Sequence, residues 1–184
     1  RFSMLLSLIS PQKNVANFAA SFANSIEWIC KHTTNVELII VEDHSSDNSL
    51  YLLKNLFSRF ENVEVVQNKG FGKVAALNHG FSLSKGKYVR FIDGDDILLQ
   101  TALDAVLILE DSQADALSSS YKVRIDENIF PVASRYLRHN IFEHTKFYSP
   151  PRWNWTISRK LADQIFPIPE ELPFEDLCMA IKIS

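Results

Sequence analysis

The chain has 184 residues, of which 46% are hydrophobic and 11% aromatic, so it is long enough to bury the core of one domain. Its 5 glycines and 7 prolines exclude a fibrous or disordered chain. With 19 basic and 22 acidic residues the formal net charge is −3, which excludes the large basic field of a nucleic-acid-binding protein.

The first part of the chain predicts four strands, each followed by a helix. The apolar run over residues 4–9 predicts a strand broken at Ser10-Pro11, and Asn14 is predicted to cap the next helix. The later pairs are a strand over 36–41 with a helix over 50–60, a strand over 63–66 with a helix over 74–84 that ends near Gly86, and a strand over 88–92 with a helix over 101–109. Four such repeats predict an α/β fold, with a mostly parallel, doubly wound, Rossmann-like sheet and helices on both faces.

Beyond Asp111 the periodicity weakens. Further strands are predicted over residues 116–125 and 153–157 and helices over 161–166 and from 174 onward, whereas residues 126–151 show no clear period. Trp153 and Trp155 are predicted to belong to the core rather than to a sugar-stacking surface. The chain opens with Arg and stops at Ser184 inside a predicted helix, so we expect a fragment of a longer protein.

The two cysteines and the hydropathy indicate in which cellular compartment the protein is expected. Cys30 and Cys178 lie far apart without metal or redox spacing, so we predict buried thiols, compatible with a reducing compartment. No apolar run approaches the ~18 residues that span a bilayer, and no secretory signal is present. We therefore expect a cytoplasmic protein, with a peripheral position at the inner membrane face left open.

Acidic side chains follow two of the predicted strands. Asp93, Asp95 and Asp96 end the fourth strand, and Glu42 and Asp43 end the second. Carboxylates packed closely repel each other unless a cation, most simply a divalent one, relieves the repulsion. Ligands of open parallel sheets lie outside the carboxyl ends of the strands, so these acids and the loop 70–73 predict a site there. Asp and Gly are also ordinary turn residues, which is the structural alternative.

The glycine loop allows a second interpretation. Gly70-x-Gly72-x-x-Ala75 lies between a strand and a helix and matches the relaxed dinucleotide-binding pattern, with Asp93 as the ribose-binding acid. A P-loop is excluded because Val74 stands where Ser or Thr is required. The dinucleotide interpretation leaves Glu42, Asp43, Asp95 and Asp96 without a role. An NAD-type enzyme stays the alternative prediction.

Five motifs in order carry a resemblance to a known family. They are S-L-I-S-P-Q-K-N, V-E-D-H-S-S-D-N-S, N-K-G-F-G-K-V-A-A-L-N-H-G, G-K-Y-V-R-F-I-D-G-D-D-I-L and, late in the chain, F-E-D-L. Together they resemble the family 2 glycosyltransferases of GT-A fold. The resemblance implies one catalytic domain over residues 1–184, with a nucleotide-sugar-binding half over 1–112 and an acceptor-side half over 113–184.

The resemblance also implies an activity and a donor. The enzyme would be a hexosyltransferase-type glycosyltransferase that moves a sugar from a nucleoside-diphosphate sugar to the hydroxyl of a saccharide, lipid-linked or other acceptor in polysaccharide or glycoconjugate biosynthesis. Pro11 would edge the base and ribose pocket, and Asp43 with Glu42 would accept hydrogen bonds from the nucleobase or ribose. Asp93 and Asp95 would form the D-x-D pair that holds Mg or Mn.

Two further residues complete the implied machinery. Lys73 would assist the metal in neutralising the departing diphosphate. Asp176 would be the catalytic base, and direct attack would invert the anomeric centre. The chain departs from the family pattern at Lys13, where an aromatic residue is usual, and at His44, where glycine is usual. A non-catalytic nucleotide-binding module is the remaining alternative.

Overall fold

The computed structural model describes residues 4–33, 35–119, 121–125, 128–132 and 155–172. The strands within these ranges are β1 (Leu6–Gln12), β2 (Val36–Glu42), β3 (Val63–Gln67), β4 (Tyr88–Phe91), β5 (Ala116–Ser118), β6 (Tyr121–Ile125), β7 (Asn128–Val132) and β8 (Trp155–Ser158). The α-helices are α1 (Ala19–His32), α2 (Ser49–Phe57), α3 (Lys73–Leu83), α4 (Asp104–Ser112) and α5 (Arg159–Ile165), and a 3-10 helix, Gln100–Leu103, precedes α4.

One six-stranded sheet organises the molecule, in the order β3-β2-β1-β4-β8-β5. β1 pairs in parallel with β2 and β4, and β2 pairs in parallel with β3. β8 runs antiparallel to both of its neighbours, β4 and β5. The predicted α/β fold with a mostly parallel sheet is confirmed, and β6 and β7 form a separate antiparallel pair.

The central strands are buried on both faces, which is why they read as continuous apolar runs instead of alternating ones. Leu8 faces a cluster that includes side chains of α1, α2 and α4, whereas Ile9 faces a cluster built with α3 and α5. Helices therefore cover both faces of the sheet, as the repeated strand-helix pattern predicts.

Helix α3 approaches the sheet closely at Gly80. A Cβ atom on this residue would lie 2.5 Å from Ile9 Cγ2 and 3.1 Å from Val41 Cγ2. The absent side chain therefore lets α3 rest directly on β1 and β2, and this fixes where the loop before α3 meets the strand ends.

The first strand does not break at Ser10-Pro11, contrary to the prediction, but continues through Pro11 and Gln12. The pairing of β1 with β4 ends at Ile9, whose carbonyl oxygen still accepts a hydrogen bond from Ile92 N at 3.1 Å. The backbone of Pro11, two residues after Ile9, is also directed towards β4, but it lies beyond the end of that strand. The missing N–H of Pro11 therefore costs the sheet no hydrogen bond.

Asn14 does not cap α1, because the helix begins five residues later, at Ala19. Its side-chain Oδ1 instead accepts a hydrogen bond from Ser46 N at 2.9 Å, which ties the β1–α1 loop to the β2–α2 loop. The third helix ends at Leu83, and Ser84, not Gly86, closes it.

The later part of the chain also differs in detail from the prediction. The single strand predicted over 116–125 is two strands, β5 and β6, which belong to different sheets, and β7 falls in the stretch without period. Trp155 is 6% exposed and belongs to the core, as predicted. Trp153 and the helix predicted from residue 174 lie outside the described residues. Within the described part of the chain, none of the helices has the length and apolar character needed to cross a membrane.

Candidate active site

An open pocket of about 470 Å³ lies at the carboxyl ends of β1, β2 and β4. Five residues predicted from strand ends and the glycine loop line it: Pro11, Asp43, Lys73, Asp93 and Asp95. Pro11 is the next-to-last residue of β1, Asp43 directly follows β2, and Lys73 begins α3, while Asp93 and Asp95 lie in the turn that follows β4. The parallel order of the sheet brings them together from distant positions in the sequence.

The Asp43 side chain accepts hydrogen bonds from three other residues around this pocket. Its Oδ1 accepts from Asn68 Nδ2 at 2.8 Å, and the Gly72 backbone N–H donates to Oδ1 and Oδ2 at 3.0 and 3.1 Å. Lys13 Nζ lies 3.4 Å from Oδ2. Burial alone would raise the pKa of Asp43, but the hydrogen bonds from Asn68, Gly72 and Lys13 outweigh burial and lower it. The carboxylate is therefore an ionised acceptor at neutral pH.

Glu42 precedes Asp43 but lies behind the pocket rather than in its wall. Its side chain is 1% exposed, and its Oε1 accepts a hydrogen bond from Ser45 N at 2.6 Å. In the described part of the chain, its second oxygen, Oε2, has no hydrogen-bond partner. The contacts of Glu42 therefore hold the β2–α2 loop, whereas Asp43 reaches the pocket.

Lys73, Asp93 and Asp95 line the same pocket. Lys73 Nζ lies 3.5 Å from Asp93 Oδ1, and both side chains retain access to solvent. Gly94 separates the acids and packs onto β1, since a Cβ there would lie 2.8 Å from Gln12 Cδ. A backbone hydrogen bond from Asp96 N to Asp93 O, 3.1 Å long, closes the turn that presents both carboxylates.

This turn fits a divalent cation that arrives together with a phosphorylated ligand. Among the residues described, no group of three or more His, Cys, Asp or Glu side chains is placed to hold a metal. Mg²⁺ is typically held by one or two carboxylates together with substrate phosphates and water, rather than by a cage made only of protein. Asp93 and Asp95 supply that smaller ligand set at the wall of the pocket.

The glycine loop is used differently from a dinucleotide-binding loop. Gly72 has φ +90° and precedes α3, and its N–H donates to the Asp43 carboxylate. A pyrophosphate-binding loop points such N–H groups at the ligand. His44 Nε2 lies 3.0 Å from Gly70 O, and its ring stacks on Phe71 with the centroids 4.5 Å apart. The loop is thus tied to the β2–α2 loop, which argues against the NAD-type interpretation.

Two residues that the sequence patterns did not single out contact Asp43. Asn68 is 4% exposed and directly follows β3; it is the first residue of the motif N-K-G-F-G-K, but no role was predicted for it. Lys13 was noted only as a departure from a family pattern, and its ion pair with Asp43 joins loops that lie 30 residues apart. Asp176, the predicted base, lies outside the described residues.

The fold and the pocket define an α/β protein whose acidic site lies at the carboxyl edge of its sheet. The model of glycosyl transferase family 2 matches residues 7–168, and the chain belongs to this family. The fold predicted from the resemblance is thereby confirmed.

Curated relatives agree with this assignment. The chain is 31% identical over 123 residues to the glycosyltransferase GlyG of Streptococcus pneumoniae, covering 65% of this chain and 40% of that protein. It is also 31% identical over 103 residues to a poly(ribitol-phosphate) beta-glucosyltransferase of Bacillus spizizenii, covering 54% of this chain and 16% of the relative. The chain therefore spans less than half of the length of these two relatives.

Solved structures show the same fold at lower sequence identity. S. aureus TarS 1-349 in complex with UDP superposes with a TM-score of 0.79 at 22% identity, covering 98% of this chain and 55% of that one. A mannosyltransferase from Pyrobaculum calidifontis, solved with GDP-Man and Mn²⁺, gives a TM-score of 0.71 at 18% identity, covering 97% and 51%.

Proposed function

We propose that this chain carries the donor-binding part of a glycosyltransferase that moves a sugar from a nucleoside-diphosphate sugar to an acceptor hydroxyl. One observation carries the proposal: the same pocket is lined by the ionised Asp43 and by Lys73 with the carboxylates of Asp93 and Asp95. A ligand with a hydrogen-bonding base or ribose and a metal-bound diphosphate matches these two sets of groups.

The relatives support the donor class. The TarS structures were solved with UDP and with UDP-GlcNAc, and the Pyrobaculum mannosyltransferase with GDP-Man and Mn²⁺. Two relatives are named a poly(ribitol-phosphate) beta-glucosyltransferase and a minor teichoic acid biosynthesis protein. We propose by analogy a hexose-type donor and a saccharide or polymer acceptor of a bacterial cell-surface glycoconjugate.

At the base end of the donor, Pro11 would form an apolar wall of the pocket and Asp43 would accept a hydrogen bond. An N–H of the base or a hydroxyl of the ribose is a suitable donor, because the ionised carboxylate accepts but does not donate. Glu42 would contribute indirectly, by holding the loop that follows Asp43.

At the phosphate end of the donor, Asp93 and Asp95 would hold a divalent cation, with Asp95 the more exposed of the two. When bound, Mg²⁺ or Mn²⁺ neutralises the negative charge that develops on the departing nucleoside diphosphate. Lys73, 3.5 Å from Asp93, supplies a second positive charge there.

The acceptor step requires a base. An acceptor hydroxyl is a weak nucleophile near neutral pH, and a carboxylate within hydrogen-bond reach removes its proton as the new bond forms. Asp176 is the proposed base, and direct attack would invert the configuration at the sugar C1. Proton NMR of the product reports the anomeric configuration, and retention would exclude this mechanism.

The donor proposal is tested by calorimetric titration of UDP, GDP, dTDP and NAD into the chain, with and without Mn²⁺. We expect one nucleoside diphosphate to bind in a metal-dependent way and Asp95→Ala to abolish the binding. Asp111→Ala removes an exposed carboxylate on α4, away from the pocket, and serves as the matched control that should bind like the wild type.

The alternatives predict other outcomes of this titration. Binding of NAD without metal, or binding of a diphosphate that is insensitive to Asp95→Ala, would contradict the proposal. In the first case the glycine loop, with Gly70 and Gly72, would become the site to investigate.

A further inference from the structure

We propose that Asn68 is a positioning residue. Its buried side-chain amide fixes the orientation of the Asp43 carboxylate and the position of the glycine loop that leads to Lys73. Asn68 is not expected to touch the donor or the reacting atoms. Its effect on donor binding would therefore act through Asp43 and Lys73. The inference deepens the proposed function, and it rests on that function only where donor binding is the readout.

Both polar atoms of the Asn68 side-chain amide form hydrogen bonds. Nδ2 donates to Asp43 Oδ1 at 2.8 Å and lies 3.4 Å from the Gly72 carbonyl oxygen, while Oδ1 accepts from Gly70 N at 3.3 Å. The backbone N–H of Asn68 donates to Glu42 O at 2.8 Å. One side chain therefore joins the end of β2 to the loop between β3 and α3.

These contacts require a group that both donates and accepts. An aspartate would keep the acceptor but lose the Nδ2 donor and place a second carboxylate against Asp43. An alanine would remove one of the two donors to the buried Asp43 Oδ1 and the acceptor of the half-buried Gly70 N–H. An amide at this position satisfies both.

The same amide bears on Lys73 through Gly72. The Gly72 N–H donates to both Asp43 oxygens, and Lys73 is the first residue of α3. If the carboxylate turned away, Gly72 would lose this anchor at the position where its φ of +90° starts the helix. One buried side chain therefore contacts both Asp43 and the glycine loop that leads to Lys73.

The chain offers a matched control in Asn62, whose Nδ2 donates to the carbonyl oxygens of Val36 at 2.9 Å and Thr33 at 3.3 Å. This amide also bridges two segments, but it lies at the amino end of β2, away from the pocket. Asn68→Ala and Asn62→Ala should therefore lower the thermal midpoint of unfolding by similar amounts.

Only the Asn68 variant should alter the site. We expect faster hydrogen exchange at the Gly72 N–H in the nucleotide-free chain, and an affinity for the bound probe, UDP-GlcNAc or GDP-mannose, that falls by about tenfold or more. Asn62→Ala should change neither quantity.

A pH series with Asn68→Asp provides a readout that lost stability alone would not move. Two facing carboxylates share a proton as the pH falls, because one of their pKa values is strongly raised. That proton restores an O–H donor to Asp43, so affinity relative to the wild type should be low at pH 8 and recover towards pH 5. Asn68→Ala should show no recovery. The other titratable groups around Asp43 and the loop are present in every protein compared, so they cancel in the ratio of affinities: Lys13, Glu42, His44, Lys69 and Lys73.

The outcomes separate this inference from the proposed function. If the wild type binds none of UDP, GDP and dTDP in the presence of Mn²⁺, the proposed function fails, and hydrogen exchange at Gly72 still decides the role of Asn68. Unchanged exchange at Gly72 in Asn68→Ala, or an equal loss of affinity in Asn62→Ala, would overturn the positioning role.

Discussion

Adjacent acidic residues at the end of β2 occupy unlike environments. Asp43 receives hydrogen bonds from a buried amide, a backbone N–H and a lysine, and it reaches the pocket. Glu42 is buried beneath the following loop and accepts from Ser45 N. The side-chain type is nearly the same, so the neighbours of each carboxylate decide whether it faces a ligand or holds a loop.

Asp43→Asn tests how much these neighbours stabilise the folded chain. The pKa of Asp43 is lowered from its ordinary value of 3.8, so the folded state gains stability from the ionised form. That contribution is complete above pH 3.8 and is lost as the pH falls through the lower folded value. We expect the variant to lose about 1–3 kcal/mol of unfolding free energy at pH 7, and the difference from the wild type to shrink below pH 3.8.

Urea denaturation at pH 7 and at about pH 3 measures this difference, because the other acids with lowered pKa are present in both proteins and cancel. Asp111→Asn, an exposed carboxylate on α4, should stay within about 0.5 kcal/mol of the wild type at both values. A difference for Asp43→Asn that is equally large at the acidic pH would contradict the assignment.

At the scale of elements, the sequence is sufficient for the alternation from β1 to α4, because each buried strand reads as an apolar run and each helix as a 3.6-residue period. It is also sufficient for the acids at the strand ends. It does not predict that β8 enters antiparallel between β4 and β5, because strand order depends on pairing between distant segments. Nor does it predict the role of Asn68, whose side-chain partners lie up to 25 residues away.

The close packing of α3 against the sheet at Gly80 predicts that a larger residue there destabilises the fold. Alanine in a helix is favoured over glycine by about 1 kcal/mol, but here its Cβ would lie 2.5 Å from Ile9 Cγ2. Overpacking of a dense core costs typically about 1–3 kcal/mol, so we expect the clash to exceed the gain in helix propensity. Gly80→Ala should therefore lower the midpoint of urea unfolding.

The control for this prediction is Ser82→Ala on the exposed side of the same helix, where no core contact is involved. Its unfolding free energy should change by less than about 0.5 kcal/mol. A stabilised Gly80→Ala variant would show that β1 and β2 can move to admit the methyl group, and that α3 does not fix the loop before it.

At the scale of the molecule, the strand order explains why one pocket collects residues from separate parts of the chain. β1 lies between β2 and β4, so the residues that end these three strands meet at one edge of the sheet. Among the described residues, those that line the pocket fall between Pro11 and Asp95, in the half predicted to bind the donor. Donor binding and sugar transfer are therefore expected to respond to different substitutions.

Asp176→Asn tests this separation, since the proposed base lies in the half assigned to the acceptor. The variant should bind the nucleotide and Mn²⁺ with unchanged affinity, because no donor contact is assigned to Asp176. Its transfer rate should fall by about 10²- to 10⁴-fold, the usual contribution of a general base. Asp95→Ala should instead lose donor binding itself. Calorimetry and a product assay on the same two proteins distinguish the effects, and wild-type transfer by Asp176→Asn would require another base.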